Sequence, residues 1–175
     1  MSVFKRQAVV ALGSNSGDRL ANLTEGLTRL AEDGGIRFVA VSGVYETEAQ
    51  GKATGQKFYN AAALVETALD PVELIALLVR IERMFGRDED RRREDGGRRL
   101  DLDLIYLGDL LYDLDGIVVP HPRRRWRNFV LAPASEIAPR FVDPEDGLTV
   151  AELWEILKRT GAREPERVAE IRQFR

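Results

Sequence analysis

The stretch Leu100-Asp101-Leu102-Asp103-Leu104-Ile105 sets two carboxylates two residues apart in a pattern of period two, which is the pattern of a half-buried strand. On such a strand Asp101 and Asp103 point the same way, about 6.6 Å apart along it. They repel each other unless a cation or hydrogen-bond donors lie between them. Two adjacent carboxylates suit a hard cation such as Mg²⁺, which takes one or two protein carboxylates and completes its shell with water and substrate phosphates. A solvated strand face, or charge that deters edge pairing, accounts for a bare Asp-x-Asp equally well. The neighbourhood favours the metal. Residues 86–99 carry six arginines, Arg87, Arg91, Arg92, Arg93, Arg98 and Arg99, and guanidinium groups beside a metal-binding pair are how phosphoryl-transfer sites neutralise polyphosphate. Five acids are interleaved, Asp88, Glu89, Asp90, Glu94 and Asp95, so Arg91 to Arg93 read better as an ion-paired, solvated surface than as phosphate ligands.

Other residues carry weaker signals. His121, the sole histidine, lies in Val-Pro-His-Pro, with Arg123, Arg124, Arg125 and Arg127 following. A lone histidine is more often structural than catalytic, but a cationic donor near phosphate fits this setting. The run Arg-Arg-Arg-Trp-Arg also has the composition of a single-strand nucleic-acid patch. It is short, and the chain is acidic overall. Gly13-Ser14-Asn15 precede a helix, and helix N-termini attract anions. Without the lysine and spacing of a P-loop, the stretch reads as a turn and cap. Asn60 is an isolated amide in an apolar stretch, able to bond the edge of a flat heterocycle or to close a turn.

The elements that position these residues follow from periodicity and caps. Residues 7–12 read as a buried strand, and a helix follows with Leu20, Leu23, Leu27 and Leu30 on one face. Residues 36–48 read as one long strand and 58–69 as another. A second helix opens with Asp70 as cap, Pro71 in the first turn and Glu73 completing a capping box; Leu74, Leu77, Leu78 and Ile81 form its stripe. Residues 87–99 contain no apolar side chain and form a long polar loop, a kind that is usually functional or disordered. The Asp-x-Asp strand comes next, then a hairpin partner at 110–119. A last helix starts at Thr149, boxed by Glu152, with Leu153, Trp154, Ile156 and Leu157 facing inward. Beyond about residue 160 a loose charged tail is expected. The order β-α-β-β-α-β with additions predicts an α+β, ferredoxin-like sandwich, an antiparallel sheet with helices on one face, extended by a C-terminal hairpin and helices.

The 175 residues suit a single domain, and the net charge of −3 argues against a general nucleic-acid binder. Without cysteine, disulfides, thiolate metal sites and thiol catalysis are excluded. No stretch approaches membrane-spanning length, so a cytoplasmic protein is expected, a monomer or weak homodimer without nucleic-acid or membrane partners.

Taken together, Ala-Leu-Gly-Ser-Asn-Ser-Gly-Asp-Arg near the N-terminus, Tyr-Glu-Thr-Glu (45–48), Phe-Tyr-Asn-Ala-Ala (58–62), residues 80–87, Arg-Arg-Leu-Asp-Leu-Asp-Leu-Ile (98–105), Val-Pro-His-Pro-Arg (119–123) and residues 127–139 resemble the 6-hydroxymethyl-7,8-dihydropterin pyrophosphokinases of folate biosynthesis, in joint order and spacing over about residues 7–158. The resemblance implies a ferredoxin-like fold with a mobile catalytic loop. It implies transfer of the terminal diphosphate of ATP to the hydroxymethyl group of a reduced pterin, with release of AMP and use of two Mg²⁺ ions. By position it makes Asp101 and Asp103 metal ligands, and Asn60 the residue that hydrogen-bonds the pterin. Phe58 and Phe129 become the rings that sandwich the pterin, and Glu48 a further substrate-side position. Arg87 and Arg98 become the loop arginines on the transferred phosphates, His121 and Arg127 phosphate contacts, and Glu82 part of the nucleotide site. Whether Arg91 to Arg93 and Arg123 to Arg125 touch ATP stays open. The chain departs from the family pattern in the loop: Asp95 stands at a tryptophan position, Gly97 at a proline and Arg99 at a threonine. Tyr-Glu-Thr-Glu also lacks the usual following proline. A non-catalytic or altered-substrate member of the family is the alternative.

Overall fold

A computed structural model describes residues 6–48, 57–86 and 97–174. The expected loop arginines Arg87 and Arg91 to Arg93 lie outside the described residues. One antiparallel sheet organises the chain. Strand β1 (Arg6–Ser14) leads through helix α1 (Arg19–Ala31) to β2 (Ile36–Val41), β3 (Val44–Glu48) and β4 (Lys57–Thr67), then through α2 (Pro71–Met84) to β5 (Asp101–Leu107). The sheet order is β5-β1-β4-β3, with β2 beside β3 on the same flank of β4. This is the expected ferredoxin-like arrangement with its second strand in two pieces.

The break that divides residues 36–48 falls at Ser42 and Gly43. Ser42 takes the Ala62 N–H on its hydroxyl (2.9 Å) and gives that hydroxyl's proton to the Gly43 carbonyl (2.7 Å), so a side chain replaces part of the ladder. The central strand β4 pairs with β1 from Tyr59 to Thr67 and with β2 and β3 on its other side. Its alanines Ala61, Ala62 and Ala63 are fully buried. That setting resolves the helix-or-strand ambiguity of an alanine run: small side chains let helices approach both faces of a strand whose two ladders are already satisfied.

Helices α1 and α2 cover one face, packing Leu23, Leu27, Leu30, Leu74, Leu78 and Ile81 against Ala8, Val10, Leu12 and Leu102. The second face is not open. Helices α3 (Asn128–Ile137) and α4 (Val150–Arg159) pack Val130, Leu131, Leu153 and Trp154 on Val9, Ala11, Ala62 and Ile105, so the expectation of helices on one face holds only for the ferredoxin-like core. Both predicted capping boxes form, Asp70 with Glu73 and Thr149 with Glu152.

Three expectations change. The segment after β5 does not pair with it. Strands β6 (Tyr112–Leu114) and β7 (Ile117–Val119) pair with each other as a separate two-stranded sheet, closed by Asp115 and Gly116, both at positive φ, as a tight two-residue hairpin requires. The tail is not loose: β8 (Glu166–Ala169) adds an edge strand to β3, Ile171 is buried, and Phe174 stacks near Phe38 at 5.1 Å. Its charged composition hid a sparse apolar set that the sheet edge uses. Ile156 lies off the α4 stripe and is 48% exposed, whereas Leu153 is 5% exposed. Leu153→Ala should therefore cost about 2–5 kcal/mol, the usual range for a buried leucine, and Ile156→Ala far less. Urea midpoints of the two variants decide it; equal losses would mean that both side chains face the core.

Candidate active site

Register places the functional side chains. Asp101 on β5 is opposite Gly13 on β1, Gly13 is opposite Asn60 on β4, and Asn60 is opposite Tyr45 on β3. One rung lower, Asp103 is opposite Ala11, which faces Ala62. Pleating points these residues to the α3 side of the sheet. Gly13 is the centre of the rung. A Cβ there would stand 3.3 Å from Asn60 Oδ1, 3.8 Å from Phe58 Cδ1 and 4.0 Å from the Asp101 Cβ. The missing side chain thus leaves a cradle with an amide, an aromatic ring and a carboxylate around it. Asn60 is 4% exposed. Its Nδ2 donates to Thr47 Oγ1 (2.8 Å), which turns the amide oxygen toward the cradle.

The carboxylate pair does not face itself unrelieved, because each member has a cation. Arg98 Nη1 donates to Asp101 Oδ2 at 2.9 Å, and Arg127 Nη1 donates to Asp103 Oδ2 at 3.1 Å. His121 Nε2 lies 4.0 Å from the same Asp103 oxygen. Its Nδ1 accepts the Arg123 N–H (3.1 Å), so in the neutral ring the proton sits on Nε2, pointing into the site. Burial pushes the imidazole pKa down, against Asp103, which raises it; Arg127 and Arg123 lower it further. Burial also lowers the Arg127 pKa, again opposed by Asp103. The Arg127 guanidinium stands 5.3 Å from the centre of the Phe129 ring, which links the basic cluster to the first turn of α3. The backbone of Arg98 is clamped by Asn15, whose N–H donates to the Arg98 carbonyl (2.9 Å) and whose side chain accepts the Arg98 N–H (2.5 Å).

Among the described residues no group of three or more His, Cys, Asp or Glu side chains is placed to hold a metal. Asp101 and Asp103 stand as a pair, which fits Mg²⁺ bound jointly with phosphate oxygens. Arginine nitrogens already sit against both carboxylates, so the pair is arranged to meet positive charge. A cradle for a flat ring and a cation-lined carboxylate pair side by side suit a heterocyclic substrate and a polyphosphate.

The family model for 7,8-dihydro-6-hydroxymethylpterin-pyrophosphokinase (HPPK) matches residues 9–139. The chain belongs to this family. It is 38% identical over 173 residues to a 2-amino-4-hydroxy-6-hydroxymethyldihydropteridine pyrophosphokinase of Synechocystis sp., covering 92% of this chain and 87% of that one. It is 38% identical over 130 residues to the protein of that name from Bacillus subtilis, covering 74% of this chain and 77% of the relative. In fold it is similar to an HPPK-DHPS crystal structure from Plasmodium falciparum, with a TM-score of 0.69 at 12% identity, over 93% of this chain and 47% of that one. The chain thus spans about half the length of that solved protein.

Within this HPPK-family chain the sequence-predicted residues divide. Asp101, Asp103, Arg98, His121, Arg127, Asn60, Phe58 and Phe129 occupy the α3 face of the sheet or its rim. Glu48 does not join them: it is exposed and ion-paired with Arg163 at 2.9 Å. Arg87 lies outside the described residues. Glu82 is 1% exposed, and its Oε1 accepts the Leu102 N–H at 2.7 Å. It is no open nucleotide contact; it serves the outer edge of β5 between the two aspartates. Of the basic run, Arg124 is buried and Arg125 pairs with Glu145 and Asp146, so the run is not a continuous strip for a nucleic-acid strand. Gly13 and Asn15 read in the sequence as a turn and cap, and Thr47 did not stand out; the rung places Gly13 opposite Asp101, and Thr47, which pairs with Phe58, enters through its bond to Asn60.

Glu82→Leu would leave the buried Leu102 N–H without this acceptor, a loss of about 1–3 kcal/mol. Glu82→Gln keeps a carbonyl there and should lose less. Denaturant unfolding of both variants checks this; a Glu82→Leu protein as stable as wild type would show that the contact is dispensable.

Proposed function

We infer that this HPPK-family chain transfers diphosphate from ATP to the hydroxymethyl group of 6-hydroxymethyl-7,8-dihydropterin and releases AMP. The observation that carries this reading is the single rung Asp101–Gly13–Asn60, which sets a cradle bounded by Asn60 and Phe58 beside a carboxylate pair already facing cations.

In the transfer, the substrate hydroxyl oxygen forms a bond to the β-phosphorus, the bond from that phosphorus to the oxygen bridging it to the α-phosphate breaks, and AMP leaves; the hydroxyl proton goes to solvent. Asn60 reads the polar edge of the ring, its amide fixed by Thr47. Phe58 and Phe129 flank the ring faces. Arg98, Arg127 and His121 bear on the phosphates: the guanidinium groups give fixed, charge-assisted donors, and the inward Nε2–H of His121 adds a further donor. Asp101 and Asp103 would hold Mg²⁺, two ions with ATP, which neutralises phosphate charge and orients the polyphosphate. The protein's share of the chemistry is therefore positioning and charge compensation. No side chain is assigned as a strong general base.

Protein mixed with ATP, Mg²⁺ and the pterin alcohol should yield AMP and the pterin diphosphate by mass spectrometry. Pterin binding without AMP would identify a binding protein, and ADP would identify a simple kinase. Asp101→Ala and Asp103→Ala should each bring turnover to background while circular dichroism stays native; wild-type turnover in either at saturating Mg²⁺ removes that residue from the metal site. Phe129→Ala should weaken pterin binding at least several-fold, since stacking contributes about 0.5–1.5 kcal/mol beyond area burial, and should affect ATP affinity much less. Equal losses for the two ligands would make Phe129 a packing residue.

A further inference from the structure

His121 and Arg127 are six residues apart, and both reach Asp103. The chain between them is a single 3-10 turn, Arg124–Trp126, too short to hold itself in place. Arg124 does the holding. Its N–H donates to the His121 carbonyl (3.1 Å), and the Arg127 N–H donates to the Arg124 carbonyl (3.4 Å). Its guanidinium is 2% exposed, which excludes direct contact with ATP. Nε and Nη2 fork onto the two oxygens of Asp143 at 2.5 and 2.7 Å. Nη2 also reaches Glu145 (2.6 Å), and Nη1 returns to the His121 carbonyl (3.2 Å).

Asp143 is fully buried and accepts two more bonds, from the Tyr106 hydroxyl (3.0 Å) and the Glu145 N–H (2.9 Å). Burial alone would raise the Asp143 pKa, but the Arg124 fork outweighs it and holds the carboxyl below its usual range. Tyr106 belongs to β5, three residues beyond Asp103. It reaches this face because the register shifts opposite Val9 and Val10, so that Leu104 and Tyr106 pair with adjacent residues of β1 and Ile105 is the extra one. Such a bulge turns the following side chain to the other face. The buried network therefore joins the turn that carries the cations to the strand that carries the carboxylates.

Stability does not explain the arrangement, because a buried ion pair is often replaceable by apolar groups at no loss. A fork does supply fixed geometry. We propose that Arg124 and Asp143 are positioning residues for diphosphate transfer, their buried fork setting where His121 and Arg127 stand against Asp103. This rests on the diphosphate-transfer reading given above. The two residues act through His121 and Arg127, without touching substrate themselves.

Two variants test it. Arg124→Met combined with Asp143→Leu replaces the pair by apolar groups of similar bulk; Tyr106→Phe removes only one hydroxyl from Asp143. For wild type and both variants, AMP release, KM for ATP, KM for the pterin, Tm and amide hydrogen exchange at residues 124–127 of the ligand-free protein are measured. The double variant should fold but melt somewhat below wild type, because the buried Tyr106 hydroxyl loses its acceptor; it should exchange faster at Arg127 and lose roughly tenfold or more in kcat, since small misplacements at a reacting centre cost that much. Its KM for ATP should rise while its KM for the pterin stays unchanged. Tyr106→Phe should show a smaller loss with the same split, and it decides the matter alone if the double variant does not fold. Wild-type kcat and ATP KM in the folded variants, or equal losses for both substrates, would overturn the proposal and leave the network a packing feature. A wild-type protein that releases no AMP would instead remove the diphosphate-transfer reading and this inference with it.

Discussion

Two like charges about 6.6 Å apart on one strand face are the constraint around which the rest is arranged. Asp101 and Asp103 can share β5 only if positive charge comes to both. In this protein it comes from opposite directions along the chain: Arg98 from just before the strand and Arg127 from beyond the hairpin. Each supplier is itself tied down, Arg98 by the side chain and backbone of Asn15, Arg127 by the turn that Arg124 anchors. The strand is held from its outer edge too, where Glu82 takes the Leu102 N–H and Ile105 accepts the His121 N–H. The carboxylates are thus fixed from the backbone outward, and charge at the site is balanced before any ligand arrives.

Much of this was legible in the sequence, for physical reasons. Period-two alternation through Leu100 to Ile105 marks a strand and puts both aspartates on one side. Asp70 with Glu73, and Thr149 with Glu152, announce helix starts because a capping box is a purely local device. What stayed hidden depends on distant partners. The Ser42-Gly43 pair hints at a break within residues 36–48, but what holds it is distant: Ala62 and the carboxylate of Glu136, which takes the Gly43 N–H. The edge strand β8 looks like a charged tail until Arg167 meets Glu136 and Ile171 finds the core. Arg124 looks like one more surface arginine in a basic run, and only Asp143, far along the chain, makes it a buried group.

The same contrast explains why some expected site residues moved. Glu82 has the right type and place to serve a nucleotide, but a helix that packs flat on the sheet turns that position inward, where a backbone N–H awaits an acceptor. Glu48 sits one residue past Thr47, and pleating alone separates them: Thr47 braces Asn60, whereas Glu48 meets solvent and Arg163. Alternation that made the aspartates readable also decides which of two neighbouring polar residues serves the cradle.

Gly13 carries a consequence for how such a site can change over generations. The floor of the cradle is an absence, bounded at 3.3 Å by the Asn60 amide oxygen. Every replacement adds atoms where a ring would lie, so no single-residue step at that position adjusts the cavity gradually; each shrinks it abruptly. Divergence toward a ligand of another shape has to proceed through the walls, at Phe58 and its neighbours, while the floor stays bare. Variation across descendants of this chain should accordingly gather around the rim and thin out toward the middle of the sheet.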